Sequence, residues 1–315
     1  MSPVDPLFAD RFYLFEGIAA DAPMHEWAPL VMPKFEAAAS EYAAPPVSIE
    51  DRMIPGPLGD IPVRIYRPEG SSALAPGLVW FHGGAFMFGD LNMNEADVVS
   101  REIAHRAGAV VMSVDYRLVK DEAKFPVCQI DGLAAAQWFI ENAAELAVDD
   151  SRITISGASA GACLTASVIL QLRDRGQLAG IRNILVYPIL HSSLPEFAAE
   201  LEQRIAEVPP QLIFSRDDTK WINSNLGYET VEASFHCFPG DSENHSGLPE
   251  TLIINSEYDS LRASGERYFE QLKVAGVAVK KVTALGAIHG HLNWYPADCA
   301  PMEETLQQMT EFINR

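Results

Sequence analysis

Residues 152–174 read RITISGASAGACLTASVILQLRD, and the parsing of this stretch decides the fold. RITISG is a short β-type run that ends at Gly157, and AGACLTASVILQLRD, which starts at Ala160, is helix-like. Between them Gly157-Ala158-Ser159-Ala160-Gly161 matches Gly-x-Ser-x-Gly. The pattern alone is weak, since a chain of this length holds it by chance about one time in ten. Its position carries more: a serine on a strand-to-helix turn is the arrangement of a nucleophile elbow. Such a turn forces unfavourable backbone angles on the serine and so requires small neighbours, which Gly157, Ala158, Ala160, Gly161 and Ala162 supply. The helix N-terminus also aims its dipole and free N–H groups at the serine oxygen. The competing reading is a small residue in a crowded, Ala/Gly-rich corner, and context along the chain decides between the two.

Outward from the elbow, strand-like and helix-like runs alternate. GLVWFH is a continuous apolar run, suited to a strand buried on both faces. AVVMSVDY, RNILVYPIL, ETLIINSEYD and AVKKVTAL read as further strands, and VCQIDGLAAAQWFIENAAEL, SGERYFEQLKVAG and MEETLQQMTEFI as helices. This alternation predicts an α/β fold, a mostly parallel central sheet flanked by helices on both faces. VSIEDRMI and IPVRIYRP read as a strand pair joined by the turn from Pro55 to Asp60.

Two regions depart from the rhythm. The first 45 residues read as helical: Phe8, Phe12 and Phe15 fall on one helical face, LVMPKFEAAASEY is a second helical piece, and Pro45-Pro46 ends the region. Between Leu190 and Gly247 helix and loop signals mix with no clear buried strand, over a length far beyond an ordinary connection. The expected organisation is an N-terminal helical cap segment over residues 1–45, a catalytic domain over 46–315, and a second cap segment inserted at about 190–247 that packs beside the first.

Composition narrows the function. The 315 residues carry 43 acidic and 23 basic side chains, a formal net charge of −20 that repels nucleic acid and anionic membranes. The N-terminus lacks a basic n-region and an apolar h-region, and no run approaches the ~18 apolar residues of a membrane span. Cys128, Cys163, Cys237 and Cys299 are widely spaced, form neither a disulfide framework nor a zinc pattern, and fit a reduced, cytoplasmic setting.

Three further stretches bear on Ser159. FHGGAF places His82, Gly83, Gly84, Ala85 and Phe86 directly after a strand, where glycines can turn backbone amides towards a developing oxyanion. SEYDSLRASG places Asp259 just past a strand end, where a carboxylate can orient a histidine; Glu257 is the alternative, and Asp259 is preferred because it lies nearer the loop. LGAIHGHLNW offers His289 and His291 after the last strand. One of them is the expected general base, and His289 sits among Gly286, Ala287 and Gly290. The His-x-His spacing lacks the companions of a metal site, so no metal is expected. His25, His105, His191, His236 and His245 have no comparable setting and read as surface or structural. Ser159, Asp259 and His289 also occur in the chain order of an α/β-hydrolase.

These residues together resemble the hormone-sensitive-lipase-like branch of the α/β-hydrolases, bacterial carboxylesterases marked by His-Gly-Gly-Gly and Gly-Asp-Ser-Ala-Gly motifs. The resemblance runs from about Pro57 to the C-terminus through IPVRIYRP, FHGGAFMFGD, VDYRL, Phe125-Pro126 with Asp131, SGASAGA, LVYP, SEYDSLRASG and IHG. It implies a triad of Ser159, Asp259 and His289, and oxyanion donors from the loop Gly83, Gly84, Ala85 together with Ala160. It further implies a helical cap, no cofactor and often a homodimer. Three positions depart from the pattern. Ala85 stands for the last motif glycine. Ala158 replaces the acid before the nucleophile, with an expected loss of hydrogen bonding beside the oxyanion loop. His291 replaces a phenylalanine and puts a polar ring near the base.

The expected function is therefore a serine carboxylester hydrolase acting on small-molecule esters of short to medium acyl chain. Phe86, Phe88 and His291 are the expected pocket residues, with further walls from the cap. A deacetylase, lactonase or amidase would use the same machinery, and a non-catalytic receptor on the same fold is the alternative from another class.

Overall fold

The computed structural model describes the chain except Met1, Pro23, residues 71–73 and Asp121, and except the side chains of Met24, His25, Thr230 and Ser234. The reading of His25 thus lies outside the described residues. VSIEDRMI and IPVRIYRP form β1 (Val47–Ile54) and β2 (Ile61–Pro68), antiparallel and in register from Val47↔Pro68 to Ile54↔Ile61. The apolar run GLVWF lies in β3 (Ala75–Phe81), which is buried at every residue. β4 (Val110–Val114), β5 (Val148–Ala158), β6 (Ile181–Val186), β7 (Thr251–Tyr258) and β8 (Val279–Ile288) complete a sheet of order β1-β2-β4-β3-β5-β6-β7-β8. β2 runs antiparallel to both its neighbours, and the pairs from β4 through β8 are parallel. The expected mostly parallel α/β sheet is present, and its parallel strands all end at one edge, where an open α/β sheet places its ligands.

The helices in chain order are α1 (Pro6–Ala9), α2 (Met24–Phe35), α3 (Asn94–Ala107), α4 (Val127–Glu141), α5 (Ala160–Asp174), α6 (Ala199–Ile205), α7 (Arg216–Leu226), α8 (Arg262–Val274) and α9 (Ala300–Ile313). They cover both faces of the sheet. Phe139 of α4, Leu164 and Val168 of α5 and Tyr268 of α8 pack on one face with Val79, Ile155 and Leu185. Ile103 of α3 and Met302, Leu306 and Phe312 of α9 pack on the other with Trp80, Val186 and Ile254. α5 is buried from Ala160 to Leu172, which is why its sequence is apolar or small on every side. No described helix is long and apolar enough to cross a membrane.

The N-terminal region differs from its reading. Phe8, Phe12 and Phe15 do not share one helix: α1 stops at Ala9, and residues 12–15 form a separate tight turn of helix. EAAASEY is not helical either, since α2 ends at Phe35. Alanine is the strongest helix former, but intrinsic propensity is small and tertiary contacts override it. The Ala39 and Ser40 amides donate to Asp298 Oδ2 at 3.2 and 3.1 Å, and Tyr42 stacks on Tyr295 at 4.9 Å. The aromatic residues still pack: Phe15 meets Trp27 and Phe35 edge-on, and Phe35 and Phe8 meet Trp294 at 5.6 and 4.9 Å. Trp294 lies five residues beyond His289, so the N-terminal segment braces the loop that carries this histidine.

Candidate active site

The elbow forms where the sequence places it. Ser159 sits between the end of β5 and the start of α5 with φ 54° and ψ −117°, a left-handed conformation that a non-glycine residue holds only when its surroundings enforce it. Those surroundings require glycine on both flanks. A Cβ on Gly161 would lie 2.0 Å from the Phe81 carbonyl oxygen, and one on Gly157 would lie 2.6 Å from the same atom. The Ser159 amide donates to the Val186 carbonyl at 2.9 Å, which ties the turn to the end of β6.

His289, the residue after β8, brings Nε2 to 3.0 Å from Ser159 Oγ. Its Nδ1 lies 2.7 Å from Asp259 Oδ2, and Asp259 is 1% exposed in the loop after β7. A carboxylate only accepts, so Nδ1 carries the proton and Nε2 is left free to accept from the serine hydroxyl. Asp259 Oδ1 accepts from the Leu261 amide at 2.9 Å, which holds the carboxylate in the orientation that suits the ring. Burial alone would lower the His289 pKa; the Asp259 carboxylate beside it, with a smaller contribution from Glu95, outweighs that and holds it above the usual value. Tyr187 and Phe214 each present an edge to the imidazole at 5.0 Å.

The alternatives have other partners. Glu257 forms a buried ion pair with Arg204 of α6 at 2.7 Å and accepts from the Gly286 amide at 2.7 Å, so it braces the strand ends. His291 is fully buried, with Nδ1 3.1 Å from Ser256 Oγ and Nε2 2.8 Å from Thr305 Oγ1. Burial pushes its pKa down to about 3. The expectation that His291 lines the pocket is thus corrected, since both nitrogens are spent inside the core. The same correction applies to Phe86, which is 1% exposed and packs edge-on against Phe125 at 4.9 Å. Phe88 is 63% exposed.

The loop after β3 is strained at Ala85 and Phe86. Gly84, Ala85 and Phe86 have φ of 107°, 52° and 63°, and the Met87 and Phe88 amides close a tight turn on the Gly84 carbonyl at 3.0 and 2.9 Å. Only glycine fits at 84, where a Cβ would lie 2.1 Å from the Phe88 carbonyl oxygen. His82 stacks on Tyr116 at 4.5 Å, and Tyr116 in turn donates to the His82 carbonyl at 2.7 Å. Of the four expected oxyanion donors, Gly84, Ala85 and Ala160 have amides with no acceptor among the described residues. The Gly83 amide is instead donated to the Glu95 carboxylate. The expected loss of hydrogen bonding beside this loop, argued from Ala158, is therefore corrected as well: an acid from α3 supplies it.

Sequence reasoning passed over Glu95, Tyr187 and Phe214. An acidic residue in the first turn of a helix is the ordinary preference at that position, so nothing marks Glu95 until the fold sets it against the loop. Tyr187 belongs to LVYP and carries φ 34°, which only the structure reveals.

Similarity to known proteins gives the family. A family model described as the alpha/beta hydrolase fold matches residues 78–293. Esterase LipI of Mycobacterium tuberculosis is 35% identical over 265 residues, covering 83% of this chain and 80% of its own. Carboxylesterase NlhH of the same organism is 36% identical over 261 residues, covering 79% and 77%. The hyperthermophilic esterase from the archaeon Pyrobaculum calidifontis superposes with a TM-score of 0.79 at 30% identity, covering 99% of this chain and 98% of that one. With its elbow serine, its glycine loop after β3 and these relatives, the chain belongs to the hormone-sensitive-lipase-like carboxylesterases of the α/β-hydrolase superfamily.

Proposed function

We propose that this enzyme hydrolyses carboxylic esters through Ser159, His289 and Asp259. Ser159 Oγ attacks the ester carbonyl while His289 Nε2 takes its proton and returns it to the leaving alcohol. Asp259 holds the Nδ1–H tautomer and stabilises the imidazolium that forms. Gly84, Ala85 and Ala160 donate to the oxyanion, an acyl-enzyme forms on Ser159, and water activated by the same histidine releases the acid. The observation that carries this reading is the relay itself: contacts of 3.0 and 2.7 Å link a serine in a left-handed backbone to an imidazole and a buried carboxylate.

The cap belongs to the same proposal. Residues 1–45 and the insertion at about 190–247 meet through Gln211 Nε2, which donates to the Ile18 carbonyl at 2.8 Å, and through Arg204, which donates to the Ser2 carbonyl at 3.0 Å. Phe214 of the insertion reaches the His289 ring, so this segment walls the site in place of the buried Phe86. Substrates are neutral esters of short to medium acyl chain, admitted past the exposed Phe88. Four free, buried thiols support a reducing, cytoplasmic setting, and a homodimer is the assembly this family reading favours.

The test is hydrolysis of p-nitrophenyl butyrate by the wild type and by Ser159→Ala. The substitution removes the nucleophile and should abolish measurable turnover; equal rates in the two proteins would overturn the assignment.

A further inference from the structure

Glu95 is 2% exposed and belongs to neither the relay nor the oxyanion donors, yet both its carboxyl oxygens are engaged at the site. Oε1 accepts from the Gly83 amide and Oε2 accepts from the Tyr187 hydroxyl at 2.6 Å. Its own carbonyl accepts from Trp80 Nε1 at 2.9 Å, so the first turn of α3 is pinned to β3 immediately before the glycine loop. The nucleophile is close by: a Cβ on Gly83 would lie 2.7 Å from Glu95 Oε1 and 3.3 Å from the Ser159 Cβ. Ala158 shares the sheet face of Trp80 and, as a methyl, offers the loop no acceptor from the strand end.

We propose that Glu95 is the positioning residue of the oxyanion loop: its carboxyl takes the Gly83 amide out of play and thereby locks the next two amides, Gly84 and Ala85, in the direction of the oxyanion. The inference rests on the serine-esterase reading above. Two consecutive non-glycine residues at positive φ, Ala85 and Phe86, persist only where neighbours over-determine them. The turn on the Gly84 carbonyl and the Val119 amide, which donates to the Phe86 carbonyl at 2.8 Å, hold the far side of the loop; its start is held by the hydrogen bond from the first loop amide to an acceptor that is itself held by Tyr187. A buried carboxyl is a costly way to fill space, because an apolar side chain of similar size would do so without desolvating an acid; the acceptor oxygen is what the loop requires. Burial raises the carboxyl pKa despite its two donors.

The experiment compares Glu95→Gln, Glu95→Ala and Glu95→Asp with the wild type on p-nitrophenyl butyrate, with a trifluoromethyl ketone as the probe that forms a tetrahedral adduct on the serine. Glutamine keeps a carbonyl oxygen for Gly83, and its kcat should stay within about threefold of wild type. Alanine removes the acceptor and aspartate withdraws it by one methylene. Each should lower kcat by about 10²-fold, the lower end of the effect of losing one oxyanion donor, with KM changed less than about threefold and ketone binding weakened in step with kcat/KM. A folded Glu95→Ala or Glu95→Asp enzyme with wild-type kcat overturns the proposal, as does a Glu95→Gln enzyme as impaired as Glu95→Ala. Failure of the underlying reading shows separately, as a wild type whose turnover survives Ser159→Ala.

Discussion

Replacing Asp259 by asparagine tests the relay most sharply, because the two oxygens of the carboxylate have different duties. Oδ1 accepts from the Leu261 amide at 2.9 Å and Oδ2 accepts from His289 Nδ1 at 2.7 Å. Asparagine keeps one oxygen. The Leu261 amide is a fixed donor, so that oxygen stays with it, and the new NH₂ faces the imidazole. Two donors cannot share a hydrogen bond, so the ring must move its proton to Nε2 and can no longer accept from Ser159. Holding the wrong tautomer costs about 10⁴ in kcat in a serine triad, which is about 5.4 kcal/mol of barrier. Losing the Asp259 charge also removes the main influence that raises the His289 pKa, so the residual activity should have its acid limb at lower pH than the wild type. The assay is kcat/KM for p-nitrophenyl butyrate from pH 5 to 9, with thermal unfolding to verify the fold. Glu257→Gln is the control: it breaks a buried ion pair with Arg204, costs about 3–5 kcal/mol of stability, and leaves kcat within a few-fold. An Asp259→Asn enzyme with activity within tenfold of wild type, or a loss of kcat in Glu257→Gln instead, would rule out Asp259 as the partner of His289.

Two further expectations concern pH. The proposed mechanism needs neutral His289, whose folded pKa lies above the ordinary 6.5; activity should therefore fall as pH drops through a midpoint above 6.5, and a kcat/KM profile flat down to pH 5 would exclude this histidine as the base. His291 has the opposite shift, from 6.5 down to about 3, so below pH 6.5 the unfolded chain binds a proton that the folded one refuses. Stability is thus lost on acidification over the window from about 6.5 to 3, and this group alone accounts for roughly 2 kcal/mol between pH 6.5 and 5. His291→Phe should remove that increment in urea unfolding at the two pH values while keeping kcat within a few-fold; an unchanged pH dependence of stability would show that His291 is not the responsible group.

The parts of this protein legible in its sequence are those set by neighbours along the chain. A strand buried on both faces must be apolar throughout, as GLVWF is, and an elbow must have glycines where a side chain would strike the Phe81 carbonyl. The alternation of such runs is enough to specify a parallel α/β sheet and to place Ser159, Asp259 and His289 at strand ends. Choices between chemically similar neighbours were settled elsewhere. Asp259 faces His289 while Glu257 is claimed by Arg204 from α6, and His291 is claimed by Ser256 and Thr305. EAAASEY leaves the helix because Asp298 and Tyr295, more than 250 residues away, bind it as a loop. Glu95 is the extreme case, an unremarkable acid in its own helix that becomes the acceptor for the first amide of the glycine loop. Periodicity and turn chemistry are local and survive in a linear text, whereas the partner of a buried polar group is chosen by packing across the sheet, where residues far apart in the chain compete for the same donor.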